Sequence, residues 1–276
     1  MYTSPMPPLD VAALVLRNTR LSTDYNVLHL EAPAIAAASL PGQFVMVRTA
    51  AGTDPLLRRP FSVFEILRDA SGAPSGLSLL CKRIGPGTAR LYDAAAGDRL
   101  SVLGPLGKPF SIVSPPAEAW MVAGGVGLAP FATLTEALTI AGATARLFYG
   151  GRTRADLFYL EWFASRGVAL DLATEDGSLG AHGRVTAPLG EALRARAAGP
   201  PVTIYACGPE PMLKAAAGLA RAHGCPSQLS TERIMGCGLG GCYSCVVRVR
   251  DAGGAPRFVR SCLSGPVFNG DELVWE

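Results

Sequence analysis

The sequence has no apolar segment long enough to cross a lipid bilayer. Its longest stretch without a charged residue lies between Glu118 and Glu136 and contains several glycines and a proline. A membrane-spanning helix needs about 20 mostly apolar residues, so this stretch indicates a buried strand, a glycine turn and the start of a helix. The first residues also lack the basic and apolar regions of a secretion signal. We therefore expect a soluble cytoplasmic protein with no membrane attachment.

Charged residues are also scarce, at 17% of the 276 positions, and the formal net charge is only +3. No basic stripe or tail is long enough to indicate a nucleic-acid partner or binding to anionic lipid. Hydrophobic residues, in contrast, reach 49%, and there are 32 glycines and 22 prolines. This composition is typical of a folded protein with many turns, and the length suits two domains plus a short additional segment.

The pattern of predicted elements changes twice along the chain. Residues 9–112 contain short apolar runs separated by glycine and proline turns, which predicts a small antiparallel β-barrel. Residues 113–226 alternate strand and helix patterns, which predicts a Rossmann-like parallel sheet. Residues 227–276 are rich in glycine and cysteine and predict a small C-terminal module. The expected fold class is therefore a multidomain α+β protein in three parts.

The barrel is expected to contain six strands, at 11–17, 27–31, 43–47, 61–65, 77–83 and 100–103. In the second part, strands are predicted at 120–123, 145–149, 168–174 and 202–206, with helices at 130–140, 157–165 and 209–223. The last part has predicted strands at 246–250 and 258–260.

Cysteine is unevenly distributed, because four of the seven cysteines lie within the last 40 residues. They are spaced as Cys237-x4-Cys242-x2-Cys245, followed by Cys262, which is the ligand order of plant-type [2Fe–2S] proteins. The glycines between them permit tight turns that point N–H groups toward sulfur. Structural zinc is the alternative, but zinc ribbons usually contain two C-x2-C pairs and only one is present here. The spacing predicts a [2Fe–2S] cluster bound by these four cysteines.

The remaining cysteines differ from this group in position. Cys81 and Cys225 are expected to be small buried side chains without a chemical role. Cys207 begins the segment Cys-Gly-Pro-Glu at the end of a predicted parallel strand, where ligands normally bind. Both a packing role and a contact with a cofactor stay open for Cys207.

Three segments have the chemistry of a nucleotide-cofactor site. The first is Arg58-Arg59-Pro60-Phe61-Ser62, which supplies a cation, an aromatic wall and a hydroxyl for a flavin. The second begins a helical turn, in which free N–H groups at Gly87 and Thr88 could hold a phosphate. The third, Gly124-Gly125-Val126-Gly127, lies where a Rossmann phosphate loop belongs, although it is not G-x-G-x-x-G. Taken singly, each segment is also compatible with an ordinary turn or surface corner.

In their order along the chain, these motifs resemble the ferredoxin reductase superfamily: Arg-Pro-Phe-Ser, Gly-x-Gly-Thr, Gly-Gly-Val-Gly-x-Ala-Pro and Cys-Gly-Pro-Glu-Pro-Met. The C-terminal part narrows the resemblance. The segments from Glu232 to Cys242 and from Cys262 to Phe268 are similar to the electron transfer subunits of dihydroorotate dehydrogenase B. The similarity extends over nearly the whole chain and implies FAD in 9–112, NAD in 113–226 and the cluster in 227–276.

The resemblance also implies the residues that bind each cofactor. For the flavin they are Arg59, Pro60, Phe61, Ser62, Leu80, Cys81, Lys82, Gly87 and Thr88. For the nicotinamide nucleotide they are Gly124, Gly125, Gly127, Cys207, Gly208 and Pro209. The segment from Glu175 to Ser178, with Gly180, resembles the family's loop after the third strand of the nucleotide domain. No side chain is expected to act as a catalytic acid or base. Pro86 removes one possible phosphate donor, and Arg152 and Arg154 keep NADP open as an alternative.

The function implied by the resemblance is electron transfer in pyrimidine biosynthesis. A catalytic partner subunit, in an assembly of two subunits of each kind, would oxidise dihydroorotate on its own FMN, and electrons would pass through the cluster and FAD to NAD+. The flavin is required because nicotinamide exchanges two electrons at once and the cluster exchanges one. Two alternatives stay open: the flavin and iron–sulfur reductase of an NAD(P)H–ferredoxin oxidoreductase or oxygenase system, and a zinc-stapled binding module without redox activity.

Overall fold

The computed structural model describes residues 7–49, 52, 54–196 and 199–275, which divide into two compact units. The first unit contains the described residues up to Pro109 together with Arg233–Val246 and Arg260–Pro266. The second contains Phe110–Glu232, Val247–Val259 and the residues from Val267 onward. Residues after Glu232 are therefore shared between the two units. The three-part division into 9–112, 113–226 and 227–276 stays a prediction about which segment carries which cofactor.

The first unit is built on an antiparallel sheet of seven strands with the order β4-β3-β7-β1-β2-β6-β5. The strands are β1 (Leu9–Arg20), β2 (Tyr25–Glu31), β3 (Phe44–Arg48), β4 (Arg59–Ser62), β5 (Ile66–Arg68), β6 (Pro74–Lys82) and β7 (Arg99–Leu106). Helix α1 (Pro33–Ala38) follows β2, and helix α2 (Pro86–Asp93) follows β6. This arrangement confirms the predicted antiparallel β-barrel.

The sheet curls so that β4, at one edge, continues along the chain into β5, at the other edge. Beyond β4, the amide of Val63 donates to the carbonyl of Gln43 at 3.1 Å, whereas the amide of Phe64 donates to Ser78 on β6 at 2.9 Å. The chain thus turns from one edge to the other within two residues. The barrel interior is filled by alternate residues of the strands, such as Leu77 and Leu79, as the two-residue period of a strand requires.

Strand β3 is buried on both faces. Val45 and Val47 belong to the barrel core, while Phe44 and Met46 belong to a second core on the opposite face. This second core also contains Leu106 and a group from the C-terminal part of the chain: Met235, Cys245 and Cys262. The uninterrupted apolar sequence of β3 is therefore explained by two different sets of neighbours.

The second unit contains a sheet with the order β11-β10-β9-β8-β12-β13-β16, parallel except for β16. Its strands are β8 (Glu118–Gly124), β9 (Ala145–Gly151), β10 (Ala169–Thr174), β11 (Ala181–His182), β12 (Val202–Cys207), β13 (Ser227–Ser230) and β16 (Val267–Asn269). Its helices are α3 (Ala129–Ile140), α4 (Leu160–Ala164), α5 (Thr186–Ala195) and α6 (Glu210–Ala222). The hairpin of β14 (Val246–Arg250) and β15 (Pro256–Arg260) leads into the short helix α7 (Ser261–Ser264). The predicted Rossmann-like sheet is confirmed.

The helix predicted at 157–165 is shorter in the structure. Residues Arg154–Asp156 form a 3₁₀ turn, and Tyr159 has a φ of 60°, so the helix begins only at Leu160. A left-handed residue cannot continue an α-helix. Among the helices of the described ranges, none is both long and apolar enough to cross a membrane.

Gly107 lies where the barrel meets the segment that follows α7. The side chain of Gln43 donates to the carbonyl of Gly107 at 2.8 Å, and the amide of Lys108 donates to the carbonyl of Gly265 at 2.6 Å. Gly107 has a φ of +79°, and a Cβ there would lie 2.5 Å from Cδ of Pro266. Both the backbone conformation and the close approach therefore require glycine.

We expect Gly107→Ala to lower the free energy of unfolding by roughly 2–4 kcal/mol, because it adds overpacking to the cost of a left-handed alanine. Gly72→Ala is the control, since Gly72 has a φ of +84° but no atom within 4 Å of an added Cβ. This control should lose only about 1 kcal/mol. Chemical denaturation of both variants measures the difference, and equal losses would contradict the packing of Gly107 against Pro266.

Candidate cofactor-binding sites

The four predicted cluster ligands all belong to the first unit. Cys237, Cys242 and Cys245 lie on a loop of residues 233–246, which we call the cysteine loop, and Cys262 lies on α7. Cys242 is exposed, whereas Cys245 and Cys262 are 2% and 0% exposed.

Two hydrogen bonds join the cysteine loop to Ser261, the first residue of α7, and to Arg260, the residue before it. The amide of Ser261 donates to the carbonyl of Cys245 at 2.8 Å, and the guanidinium of Arg260 donates to the carbonyl of Gly240 at 2.7 Å. Arg260 also lies over the ring of Tyr243, 4.6 Å from its centroid. These contacts bring Cys262 beside the loop although it is distant in sequence.

The glycines of the cysteine loop are needed for its shape. Gly238 and Gly240 have φ values of +72° and +84°. A Cβ at Gly238 would lie 2.6 Å from Cγ of Met46, and a Cβ at Gly240 would collide with the side chain of Leu263. The loop therefore lies directly against β3 and α7 at these two positions.

Two groups donate hydrogen bonds to the exposed half of the cysteine set. The amide of Leu239 lies 3.3 Å from Sγ of Cys237, and the hydroxyl of Ser244 lies 3.1 Å from Sγ of Cys242. The amide of Gly236 donates to the Ser244 oxygen at 2.9 Å, and the Ser244 hydroxyl can donate its proton to the Cys242 sulfur once that sulfur is a thiolate. This hydroxyl is the main cause that lowers the pKa of the Cys242 thiol to about 6. Ser244 was not among the residues predicted from the sequence. Its place between two predicted ligands, in Cys242-Tyr243-Ser244-Cys245, could have indicated it.

Cys262, one of the two buried ligands, has the opposite electrostatic environment. Burial raises the pKa of the Cys262 thiol to about 12, and the adjacent Cys245 and Cys237 add to this increase. Among the described residues, no three His, Cys, Asp or Glu side chains form a group that could hold one metal ion. Four thiols with N–H and O–H donors to sulfur fit the ligand chemistry of a [2Fe–2S] cluster.

The predicted flavin motif forms β4, an edge strand of the barrel. Pro60 is tolerated in β4 because proline has no backbone N–H to donate, and an edge strand has a neighbour on one side only. Arg58 is held by the barrel itself, since its guanidinium lies 2.7 Å from the carboxylate of Asp10. Arg59 donates through Nη1 to the carbonyl of Leu57 at 2.8 Å. The strand therefore leaves Arg59, rather than Arg58, for an anionic ligand.

Helix α2 places the second predicted flavin segment next to Arg59. A Cβ on Gly87 would lie 3.5 Å from Nε of Arg59. Pro86 occupies the first turn of the helix, where an N–H has no partner within the helix, so its missing donor costs the fold little. The hydroxyl of Thr88 accepts from the amides of Ile84 and Gly85. The same hydroxyl donates its proton to the carbonyl of Gly85 at 3.1 Å. Thr88 can therefore meet a phosphate through its backbone N–H but not through its hydroxyl.

Leu80, Cys81 and Lys82 end strand β6. Cys81 is fully buried, and burial raises the pKa of its thiol to about 12, so this cysteine is chemically inert. Lys82 lies over the ring of Tyr25, 5.1 Å from its centroid. The segment can contact a ligand through its backbone, whereas the Cys81 thiol faces the barrel core.

The predicted nucleotide residues meet at the carboxyl ends of β8 and β12. These two strands pair in parallel, with Ala123 opposite Cys207. A Cβ on Gly127 would collide with the carbonyl of Cys207, and one on Gly124 would lie 2.9 Å from Cδ of Pro209. Both glycine positions therefore need a bare backbone. Gly125 lies in the same turn with a φ of +55°, and Gly208 follows β12 with a φ of +146°.

The same carboxyl edge contains a polar network beyond β9 and β10. Asp156 is buried and accepts from Nε of Arg152 at 3.1 Å and from the Arg152 amide at 3.2 Å. The amide of Arg154 donates to the hydroxyl of Ser178 in the loop after β10. That hydroxyl is also the main cause that lowers the pKa of Asp176. Burial raises the pKa of the Cys207 thiol, which disfavours the thiolate form of this residue.

Comparison with known proteins gives two matching family models. The model described as the iron-sulfur cluster binding domain of dihydroorotate dehydrogenase B matches residues 232–274. The model described as the oxidoreductase NAD-binding domain matches residues 121–218. The two matches contain all four cluster cysteines and the glycine turn after β8.

Among curated proteins, the chain is 41% identical to the dihydroorotate dehydrogenase B (NAD(+)) electron transfer subunit of Geobacillus kaustophilus, over 85% of this chain and 86% of the relative. It is 35% identical to the protein of the same name from Desulforamulus reducens, over 90% and 92%. The Enterococcus faecalis protein of that name is 36% identical over 90% and 91%.

Solved structures share the fold. An NADH-dependent reduced ferredoxin-NADP oxidoreductase structure aligns with a TM-score of 0.82 and 28% identity, covering 96% of this chain and 90% of the other. The ferredoxin reductase of carbazole 1,9a-dioxygenase aligns with a TM-score of 0.67 and 22% identity, covering 80% and 68%. The identity to the curated relatives, over most of both chains, confirms the predicted family: this chain belongs to the electron transfer subunits of dihydroorotate dehydrogenase B (NAD(+)).

Proposed function

We propose that this chain accepts electrons from a catalytic partner that oxidises dihydroorotate, and delivers them to NAD+ in the cytoplasm as a step of pyrimidine biosynthesis. When bound, a [2Fe–2S] cluster carries single electrons, FAD converts between one and two electrons, and NAD+ takes up a hydride. The observation that supports this most directly is β3, which has the cysteine loop on one face and pairs with the flavin motif of β4. One strand thus connects the two proposed redox sites of the first unit.

The chain would hold the cluster through Cys237, Cys242, Cys245 and Cys262. The Leu239 amide and the Ser244 hydroxyl would stabilise negative charge on the two outer thiolates. The apolar core around Cys245 and Cys262 would exclude water from the inner two.

The flavin would be held by β4, by the end of β6 and by the start of α2. Arg59 and the amides of Gly87 and Thr88 would bind the pyrophosphate, since all of them are donors. Pro60, Phe61 and Ser62 would lie along the ring, together with the backbone of Leu80, Cys81 and Lys82.

NAD would bind at the carboxyl edge of the parallel sheet in the second unit, between β8 and β12, where the strand order changes direction. Gly124, Gly125 and Gly127 would let the backbone approach the dinucleotide. Cys207, Gly208 and Pro209 would form the neighbouring wall.

The proposed partner is a catalytic subunit with its own FMN, assembled as two of each subunit. The cysteine loop offers a surface for it, because three large apolar side chains are exposed near Cys242. They are Ile234, Leu239 and Tyr243, with exposures of 86%, 53% and 62%. Exposed apolar groups around a redox centre are typical of a surface that docks a protein partner.

A second candidate function is the flavin subunit of a ferredoxin oxidoreductase. It is favoured by the TM-score of 0.82 and 28% identity to the ferredoxin-NADP oxidoreductase structure. The identity to the dihydroorotate dehydrogenase B subunits is higher, at 41% for the Geobacillus kaustophilus protein. Activity with ferredoxin instead of a dihydroorotate-oxidising partner would favour this second candidate.

The main test compares the chain with its Cys242→Ala variant. We expect two irons and two acid-labile sulfides per unmodified chain, and loss of the cluster in the variant. The isolated chain should oxidise NADH with an artificial one-electron acceptor and leave dihydroorotate unchanged. With the catalytic partner, the chain should couple dihydroorotate to NAD+, and the variant should lose this coupling while NADH still reduces its FAD.

Cys225→Ala is the control, because Cys225 lies in the second unit among the apolar residues of its core. It should retain the iron, the sulfide and the coupling. One zinc per chain without labile sulfide would contradict the proposal. Dihydroorotate oxidation by the isolated chain, or coupling that persists in Cys242→Ala, would contradict it as well.

The cluster potential gives a sharper test of Ser244. Removing a donor to sulfur disfavours the more negative reduced state, so Ser244→Ala should lower the midpoint potential. A hydrogen bond of about 1 kcal/mol corresponds to roughly 40 mV for one electron. Ser244→Thr keeps the hydroxyl and should remain near the original value. Redox titration followed by electron paramagnetic resonance measures this, and equal potentials in all three proteins would show that the hydroxyl does not reach the cluster.

We propose that the ion pair of Arg152 and Asp156 sets the preference of this chain for NAD over NADP. Asp156 neutralises the guanidinium at the carboxyl edge, so Arg152 offers little attraction to a 2′-phosphate. Asp156→Asn should therefore raise the ratio of kcat/KM for NADPH over NADH, by roughly tenfold for a gain of about 1.4 kcal/mol. Asp171→Asn is the control, because it breaks the ion pair with Arg146 near the amino end of β9. Steady-state kinetics with both nucleotides would contradict this assignment if the two variants behaved alike.

A further inference from the structure

Thr49 has a hydroxyl that the fold does not use. The residue directly follows β3 and is 5% exposed, and its Oγ1 atom has no hydrogen-bond partner within the described residues. A buried hydroxyl without a partner destabilises a folded protein. Valine at this position would fill nearly the same volume without that cost. The hydroxyl therefore needs an explanation other than stability.

The position of the Thr49 hydroxyl provides such an explanation. A Cβ on Gly87 would lie 3.4 Å from Oγ1 of Thr49 and 3.5 Å from Nε of Arg59. The hydroxyl and the guanidinium therefore approach the first turn of α2 together, at a point left free by the missing side chain of Gly87.

The other groups around this point are also donors. In the part of the chain that the structure describes, Arg59 uses Nη1 for the carbonyls of Leu57 and Arg58, and neither Nε nor Nη2 makes a hydrogen bond. The amides of Gly87 and Thr88 head an eight-residue helix, in positions without an acceptor inside the helix. The Thr88 hydroxyl is already bonded to the backbone of Ile84 and Gly85. Thr49 is thus the free hydroxyl of this group.

We propose that Thr49 is a further FAD-binding residue, and that its hydroxyl donates to the pyrophosphate beside Arg59. A set of donors without an acceptor fits a ligand with several anionic oxygens, and a helix N-terminus adds to the attraction. This inference rests on the proposed binding of FAD to the first unit. Free inorganic phosphate offers the same oxygens, so the experiment must separate the two sources.

The test is FAD titration of the flavin-free chain and of its Thr49→Val variant, with the cluster intact and flavin fluorescence as the readout. Loss of a hydrogen bond to a charged group should raise the Kd for FAD by about tenfold or more. The same substitution should raise the thermal midpoint of the flavin-free chain, because it removes an unpartnered buried hydroxyl. Opposite changes in affinity and stability distinguish a binding role from a structural one.

Two further variants complete the comparison. Thr49→Ser should retain FAD affinity close to that of the unmodified chain. Thr135→Val removes a buried hydroxyl from α3 in the second unit, and its Kd for FAD should be unchanged. Titrations repeated with ADP and with inorganic phosphate as competitors identify the source of the oxygens. The dissociation constant of ADP obtained from this competition should rise in Thr49→Val by about the same factor as the Kd for FAD, and inorganic phosphate at the same concentration should displace little FAD from either protein.

Several outcomes would overturn the inference. An unchanged Kd for FAD in Thr49→Val with normal cluster content would remove Thr49 from the site while leaving the proposed function intact. Inorganic phosphate as effective as ADP would assign the hydroxyl to a free anion. If Thr49→Val does not fold, Thr49→Ala replaces it, and an unchanged Kd there has the same meaning. Failure of the unmodified chain to bind FAD would contradict both the inference and the proposed function.

Discussion

The burial of β3 on both faces is the constraint on which the first unit depends. A strand of a barrel normally has one face toward the core and one toward solvent. Here Val45 and Val47 fill the barrel, while Phe44 and Met46 pack against the cysteine loop. A polar residue at any of these four positions would leave one of the two cores incomplete. The cysteine loop is therefore part of the same folded unit as the barrel, although nearly 130 residues separate them in the sequence.

Much of this architecture was predictable because it depends on local patterns. The antiparallel barrel follows from short strands and turns, and the parallel sheet from strand and helix alternation. The cluster ligands could be proposed because Cys237, Cys242 and Cys245 are close in sequence, with glycines between them. The barrel corner was less predictable: the strand expected at 61–65 begins at Arg59, and only its continuation at Phe64 and Glu65 pairs with β6.

What the sequence did not reveal are contacts between distant residues. Nothing local marks Thr49, since its significance comes from Gly87 and Arg59, which the barrel brings next to it. Asp156 looks like an ordinary loop carboxylate until its burial beside Arg152 is seen. Likewise, the choice between Arg58 and Arg59 is decided by Asp10 on a different strand. The cases of Thr49 and of the two arginines depend on strand register, which a single sequence specifies only weakly. Arg152 and Asp156 are only four residues apart, and there it is the burial of Asp156 that the sequence does not show.

The unequal burial of the four cysteines gives the proposed electron path a direction. Cys242 lies on the surface among exposed apolar side chains, where a partner could approach. Cys245 and Cys262 lie in the core that contacts one face of β3, and one edge of β3 is paired with the flavin motif of β4. Hydrogen bonds to sulfur from Leu239 and Ser244 are found on the exposed side, where water competes for negative charge. On the buried side, apolar packing fixes the ligands. In a cluster held in this way, Cys237 and Cys242 would lie on the side open to the electron donor. Cys245 and Cys262 would lie on the side of β3, which pairs with the flavin strand.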